Sequence, residues 1–153
     1  MCGICGYISL KKVDNDILNK MNDSMAHRGP NDQGIQQFRF GKYNIGFAQR
    51  RLAILDLSEL GHQPMYSISG KSLITYNGEV YNYQYLQKEL LNNSVKLRSK
   101  CDTEVILELY EKYGVECVKH FNGMFAFAIY DFQRNEVIIG RDRFGKKPLY
   151  YFY

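Results

Sequence analysis

Met124-Phe125-Ala126-Phe127-Ala128-Ile129-Tyr130 and Glu136-Val137-Ile138-Ile139 are two apolar runs joined through Phe132-Gln133-Arg134-Asn135. Short apolar runs around a polar connector of this length read as a β-hairpin. Neither run alternates between apolar and polar residues, so neither strand can leave one face in water. A sheet built on this hairpin must therefore be covered on both sides, and the rest of the chain has to supply the two covers.

Upstream of the hairpin, Asp102 stands before Thr103-Glu104-Val105-Ile106-Leu107-Glu108-Leu109-Tyr110, and Gly114 follows. These are an N-cap and a C-terminal stop for one helix. Cys117, flanked by Val115, Val118 and Phe121, reads as core. A second helix, Tyr83 to Leu91, carries Tyr83, Leu86, Leu90 and Leu91 on its buried side, and Val95 to Arg98 is expected to be a short strand. Leu73 to Tyr76 is a strand that ends at Asn77-Gly78, a strong turn dipeptide. From Arg51 to Tyr66 no period holds, and Gly61 and Pro64 interrupt; this is a long irregular loop of the kind that often carries function. Two strands, near Ile35 to Phe40 and Tyr43 to Ala48, precede it. Before them the glycines and proline of His27-Arg28-Gly29-Pro30-Asn31-Asp32-Gln33-Gly34 predict a loop. At the start, Gly3 to Leu10 reads as a buried strand that fixes the N-terminus in the core. A helix from Asn15 to Ala26 follows, with Ile17, Leu18, Met21 and Met25 on one face. Downstream, Leu149 to Tyr153 begins one more strand, inside which the sequence stops. Many strands with few helices give an α+β chain of two stacked sheets covered by helices, a four-layer arrangement.

The 153 residues, 45% of them hydrophobic, suffice for one globular domain spanning 1–153. No apolar run approaches the roughly 20 residues needed to span a bilayer. The start, Met1-Cys2-Gly3-Ile4-Cys5-Gly6, lacks the basic segment of a signal peptide. A cytoplasmic protein with no membrane partner is expected. Its four cysteines are too few for a disulfide scaffold. The net charge of +4 comes without a dense cationic stripe, which argues against nucleic acid as a partner.

Removal of Met1 would leave Cys2 with a thiol and a free α-amine on one residue. An unperturbed α-amine titrates at about 8 and an ordinary cysteine thiol at about 8.5, so at neutral pH some free amine can take a thiol proton. Nucleophiles activated by their own terminal amine form a recognised catalytic class. By position alone, Cys2 is better read as an ordinary small buried residue near a terminus. A redox or metal pair with Cys5 is the other alternative, but there is no second such pair and His27, His62 and His120 lack ligand spacing. No metal is expected.

Seven strings stand in the order seen in the glutaminase domains of asparagine synthetases, and the resemblance covers essentially the whole chain. They are Cys2-Gly3-Ile4-Cys5-Gly6, His27-Arg28-Gly29-Pro30-Asn31-Asp32, Arg51-Leu52-Ala53-Ile54-Leu55-Asp56, Gly61-His62-Gln63-Pro64-Met65, Tyr76-Asn77-Gly78-Glu79-Val80-Tyr81-Asn82, Cys101-Asp102-Thr103-Glu104-Val105-Ile106 and Gly140 to Tyr151. The chain thus resembles a class II, N-terminal nucleophile amidotransferase. The fold so implied is a four-layer αββα sandwich of two mainly antiparallel sheets, cut short at its C-terminus.

The resemblance makes Cys2 the nucleophile on the side-chain amide of L-glutamine, through a γ-glutamyl thioester. Asn77 and Gly78 become the oxyanion donors. Arg51 is matched to the substrate carboxylate, for which a guanidinium fork is well shaped. Asp102 and Glu79 are matched to its ammonium, and Leu52, Ile54 and Leu55 to the pocket wall. His27 and Arg28 are read as framing. Cys101 departs from the small hydroxyl residue usual at its position. The resemblance further implies a synthetase domain or subunit that receives the ammonia, with ATP and Mg²⁺ used there and no cofactor in this chain; a homodimer is one form it allows. An acceptor such as a sugar acid in surface polysaccharide synthesis, or a non-catalytic glutamine-binding or assembly module, are the other readings.

Overall fold

The computed structural model describes residues 2–153. In chain order its elements are β1 (Gly3–Ser9), α1 (Asn15–Ser24), β2 (Asp32–Phe40), β3 (Tyr43–Arg51), β4 (Met65–Tyr66), β5 (Ser72–Val80), α2 (Tyr83–Asn92), α3 (Asp102–Tyr113), β6 (Gly123–Asp131) and β7 (Glu136–Arg141). Short 3-10 turns sit at Ala26–Arg28, Glu59–Gly61 and Gly114–His120. The strands form two antiparallel sheets, one in the order β1-β3-β2 and the other β4-β5-β6-β7. Helix α1 packs on the first sheet and α3 on β5 of the second, with α2 against α3, giving the four layers that the strand and helix pattern predicts.

The unbroken apolar runs acquire their reason here. Along β6, Phe125, Phe127 and Ile129 join the core under α2 and α3, while Tyr130 and Ala128 meet Phe38, Ile45 and Phe47 of the other sheet. Strand β5 divides the same way: Ile74, Tyr76 and Val80 face the helices, and Leu73 faces the first sheet. A strand between two cores needs no polar face. The hairpin forms as read, with Ile129 opposite Ile138. As the sheet's edge, however, β7 is only partly covered, and Ile139 is exposed.

Several expectations fail. Asn77-Gly78 is no turn: β5 runs through it, pairing Asn77 with Ala126 and Gly78 with Phe125. Cross-strand pairing overrides the local turn preference. Val95 to Arg98 forms no strand. The backbone N–H of Arg98 goes instead to the Glu104 carboxylate (3.0 Å), while Val95 and Leu97 pack beside the helical core. Leu149 to Tyr153 is likewise not a strand, since its last four side chains lie exposed with no ladder beside them. The first strand is an edge rather than a buried strand, with Gly6 and Ile8 exposed. On the helices, Leu18, Leu86 and Leu90 are buried, but Ile17 and Leu91 face out. Asp102 is the first residue of α3, not its cap; Cys101 holds that place without a side-chain cap bond. No helix among the described residues is long and apolar enough to cross a membrane.

Candidate active site

Cys2 immediately precedes β1, and the register of β1 on β3 sets Gly3 opposite Arg50. The thiol therefore lies beside the end of β3, where the chain turns into the long loop. There the N–H of Leu52 donates to Cys2 Sγ (3.4 Å), and the thiol lies 3.8 Å from the Leu52 carbonyl. Arg28 Nε donates to the Cys2 carbonyl (3.1 Å). Gly29 lies so close to Arg50 that an added Cβ would meet its carbonyl carbon at 2.3 Å. His27 is exposed and outside the pocket wall. The His-Arg-Gly-Pro segment thus supports the pocket from behind through Arg28 and Gly29.

Arg51, 8% exposed, ends β3. Its guanidinium donates to the carbonyls of Ser58 (3.0 Å) and Asp56, which folds the loop around it. Gly61 leaves the necessary room, since a Cβ there would collide with the guanidinium. Asp56 pins the far side of the loop by accepting from Ser58 N (2.9 Å) and Lys100 N (3.0 Å). Bonds from Ser58 and Lys100 hold its carboxyl below the usual carboxylate range.

From the other sheet, β5 carries Tyr76, Asn77, Gly78 and Glu79 to the same place, and α3 begins there with Asp102 and Thr103. Gln63 ties these elements together, accepting from Tyr76 N (2.7 Å) and donating to Thr103 Oγ1 (3.1 Å). Asp102 Oδ2 accepts from the Tyr76 hydroxyl (2.7 Å) and from Val80 N (3.0 Å). Burial pushes the Asp102 carboxyl up, and these donors offset part of that rise. Gly78 must be glycine for packing, since a Cβ would stand 2.4 Å from the Met124 carbonyl on β6.

All nine residues singled out from sequence, Cys2, Arg51, Leu52, Ile54, Leu55, Asn77, Gly78, Glu79 and Asp102, line one pocket. Ile54 and Leu55 are exposed residues of that wall. Sequence reading passed over Tyr76, Gln63, Thr103 and Lys147, which share the wall. The signal for them was present, because each belongs to one of the quoted strings.

All four cysteines are free thiols. Burial pushes Cys5 to about 11 and Cys117 to about 12, and it also raises Cys101. Ser99 Oγ lies 3.0 Å from the thiol of Cys101, which is buried in the pocket wall. Among the described residues no group of three or more His, Cys, Asp or Glu side chains is arranged to hold a metal ion.

The geometry can be set beside known proteins. A sequence profile of the glutamine amidotransferase domain matches residues 1–153. A Methanocaldococcus jannaschii protein, provisionally named a glutamine-hydrolysing asparagine synthetase, is 45% identical over 100% of this chain and 32% of its own length. Glutamine-hydrolysing asparagine synthetase 3 of Bacillus subtilis is 39% identical over 99% of the chain and 25% of its own. Asparagine synthetase B of Escherichia coli is 37% identical over 98% of the chain and 26% of its own. The chain thus spans a third or less of each of these relatives. Among solved structures, the glutamine phosphoribosylpyrophosphate amidotransferase of Bacillus subtilis superposes with a TM-score of 0.72 at 19% identity, covering 91% of this chain and 37% of that one. That likeness establishes the fold, and the profile match over the whole chain establishes the lineage: this protein belongs to the glutamine amidotransferase domain family.

Proposed function

We propose that the chain hydrolyses L-glutamine to glutamate and ammonia, with Cys2 as nucleophile. After Met1 is removed, the α-amine of Cys2 takes the thiol proton and the sulfur attacks the side-chain amide carbon. Met1 itself lies outside the described residues. The Asn77 amide and the Gly78 N–H stabilise the resulting oxyanion. Collapse of that intermediate breaks the C–N bond, and the amine's proton leaves with ammonia. Water then cleaves the γ-glutamyl thioester, restoring the thiol and giving glutamate. Arg51 takes the substrate carboxylate, Asp102 and Glu79 its ammonium, and Leu52, Ile54 and Leu55 flank the chain between. The reading assigns no cofactor to this domain, because its own groups supply nucleophile, base and oxyanion donors.

What supports it most is the shared pocket: a thiol, a buried guanidinium, a buried carboxylate and a buried carboxamide from four separate segments face one cleft. The relatives named above are called asparagine synthetases, so the ammonia is proposed to pass to a synthetase part that uses ATP and Mg²⁺ to make asparagine. Glutamate release from glutamine, followed with the Met1-free chain, tests the proposal. The unmodified protein should turn over and Cys2→Ala should not. Equal rates for the two would refute it.

A further inference from the structure

Strand β5 outruns its neighbour β4 on the side away from β6, and the edge left open there carries Asn77 and Gly78. Two bonds flanking the β5-β6 ladder, Phe132 N to Lys71 O (2.9 Å) and Tyr81 N to Asn122 O (2.8 Å), fix its phase. In an antiparallel ladder alternate residues turn their backbone groups to the partner, so those of Asn77 point at β6 and those of Ile74, Tyr76, Gly78 and Val80 point away. Beside Ile74 stands Met65 of β4. From Tyr76 onward, side chains replace the missing strand. The Tyr76 N–H donates to Gln63 Oε1 (2.7 Å), the Tyr76 carbonyl accepts from Gln49 Nε2 (2.9 Å), and the Val80 N–H goes to Asp102. Gly78, between them, faces the pocket. The two carboxamides arrive from different elements. Gln49 lies fully buried on β3 and crosses to the second sheet, where the Thr75 hydroxyl donates back to the Ala48 carbonyl (3.2 Å). Gln63 precedes β4, and its Nε2 donates to Thr103 Oγ1 at the start of α3 (3.1 Å). Its own carbonyl packs on β2, since a Cβ at Gly34, the residue opposite Gln49, would stand 1.9 Å from it.

We infer that Gln49 and Gln63 are positioning residues for the oxyanion site: they grip both backbone groups of Tyr76 and so set the peptide that leads into Asn77 and the open Gly78 N–H. The inference rests on the glutaminase reading for the reaction it serves. The donors so positioned act on charge that develops only after attack, whereas Arg51, Asp102 and Glu79 hold the ends of the substrate before it. Loosening the peptide should therefore lower kcat and leave KM near its starting value. Among the described residues the Gln49 side chain bonds to β5 alone, so Gln49→Met, of similar length but without the donor, is the first test. In the Met1-free chain, kcat for glutamine should fall about ten- to a hundredfold, as for a misplaced catalytic group, with KM changed less than about threefold. Alkylation of Cys2 by iodoacetamide, which forms no oxyanion, should keep its rate. If Gln49→Met does not fold, Gln63→Met makes the comparison from the N–H side. A folded variant whose kcat stays within about twofold of the unmodified chain would overturn the inference, as would kcat, KM and alkylation failing together, the mark of a general loss of structure. Should the unmodified chain never release glutamate, the glutaminase reading falls by itself, and amide exchange of Tyr76 followed by NMR decides the clamp. Slow exchange in the unmodified chain and fast exchange in Gln63→Met leave it standing; equal rates in both remove it.

Discussion

A carboxylate that is to hold an ammonium must be ionised, yet Asp102 is 5% exposed and burial pushes its carboxyl up. Tyr76 works against that rise. Its hydroxyl, 2.7 Å from Asp102 Oδ2, donates to the charged form and favours it. The tyrosine's own ionisation is pushed far up by burial and by Asp102, so it stays a donor throughout the working range. Tyr76→Phe removes this bond and raises the Asp102 carboxyl further. In the proposed role the anion is the binding form, so glutamine binding should then fail at a higher pH as the solution is acidified. A pH series of KM for glutamine checks this: the acid-side rise in KM should start at higher pH in Tyr76→Phe. Asp102→Asn should raise KM roughly 10- to 100-fold across the range, the usual cost of a lost charged hydrogen bond. An unchanged KM in Asp102→Asn would remove Asp102 from the site.

At the scale of elements, β5 is the main departure from what local sequence rules give. Asn77-Gly78 carries a strong turn preference, and only the partner strand β6, some fifty residues downstream, cancels it. Val95 to Arg98 failed for the opposite reason: its β-like composition is satisfied by packing on α3 and by the Glu104 carboxylate, contacts no strand pattern encodes. The helices and the 132–135 connector were legible because their signals are local. Gly78→Ala should separate β5 from β6 and destabilise the fold by about 1–3 kcal/mol, the usual range for overpacking; a denaturant midpoint measures it. The 142–147 turn gives a pH test. Burial alone would raise the Asp142 carboxyl, but the N–H groups of Lys147, Lys146, Phe125 and Phe144 win and hold it low. A depressed carboxyl stabilises the fold above its unfolded value near pH 4, and that contribution is lost as pH falls through the lower folded value. Asp142→Asn should therefore lower Tm at neutral pH by several degrees and flatten part of the acid decline below about pH 4. Identical Tm curves from pH 7 down to pH 3 would contradict the role given to this turn.

At the scale of the molecule, two sheets and an irregular loop bring residues 2, 51, 77 and 102 to one end of a four-layer stack. Sequence reading assembled this set through the order of the strings rather than through any local rule, since no spacing between Cys2 and Asp102 implies contact. Tyr76 stood within a quoted string but received no role, because its bond to Asp102 appears only in the folded chain. The fold also separates the thiols. Burial raises Cys5, Cys101 and Cys117, so brief alkylation at neutral pH should modify Cys2 alone, as peptide mass would show. The central claim, a processed N-terminal cysteine acting on a bound glutamine amide, is tested most directly by intact mass after exposure to an electrophilic glutamine analogue. The predicted result is a chain lacking Met1 and carrying one adduct, mapped to Cys2 and blocked by excess glutamine. A Met1-free chain that stays unmodified, or one labelled at another cysteine, would contradict it.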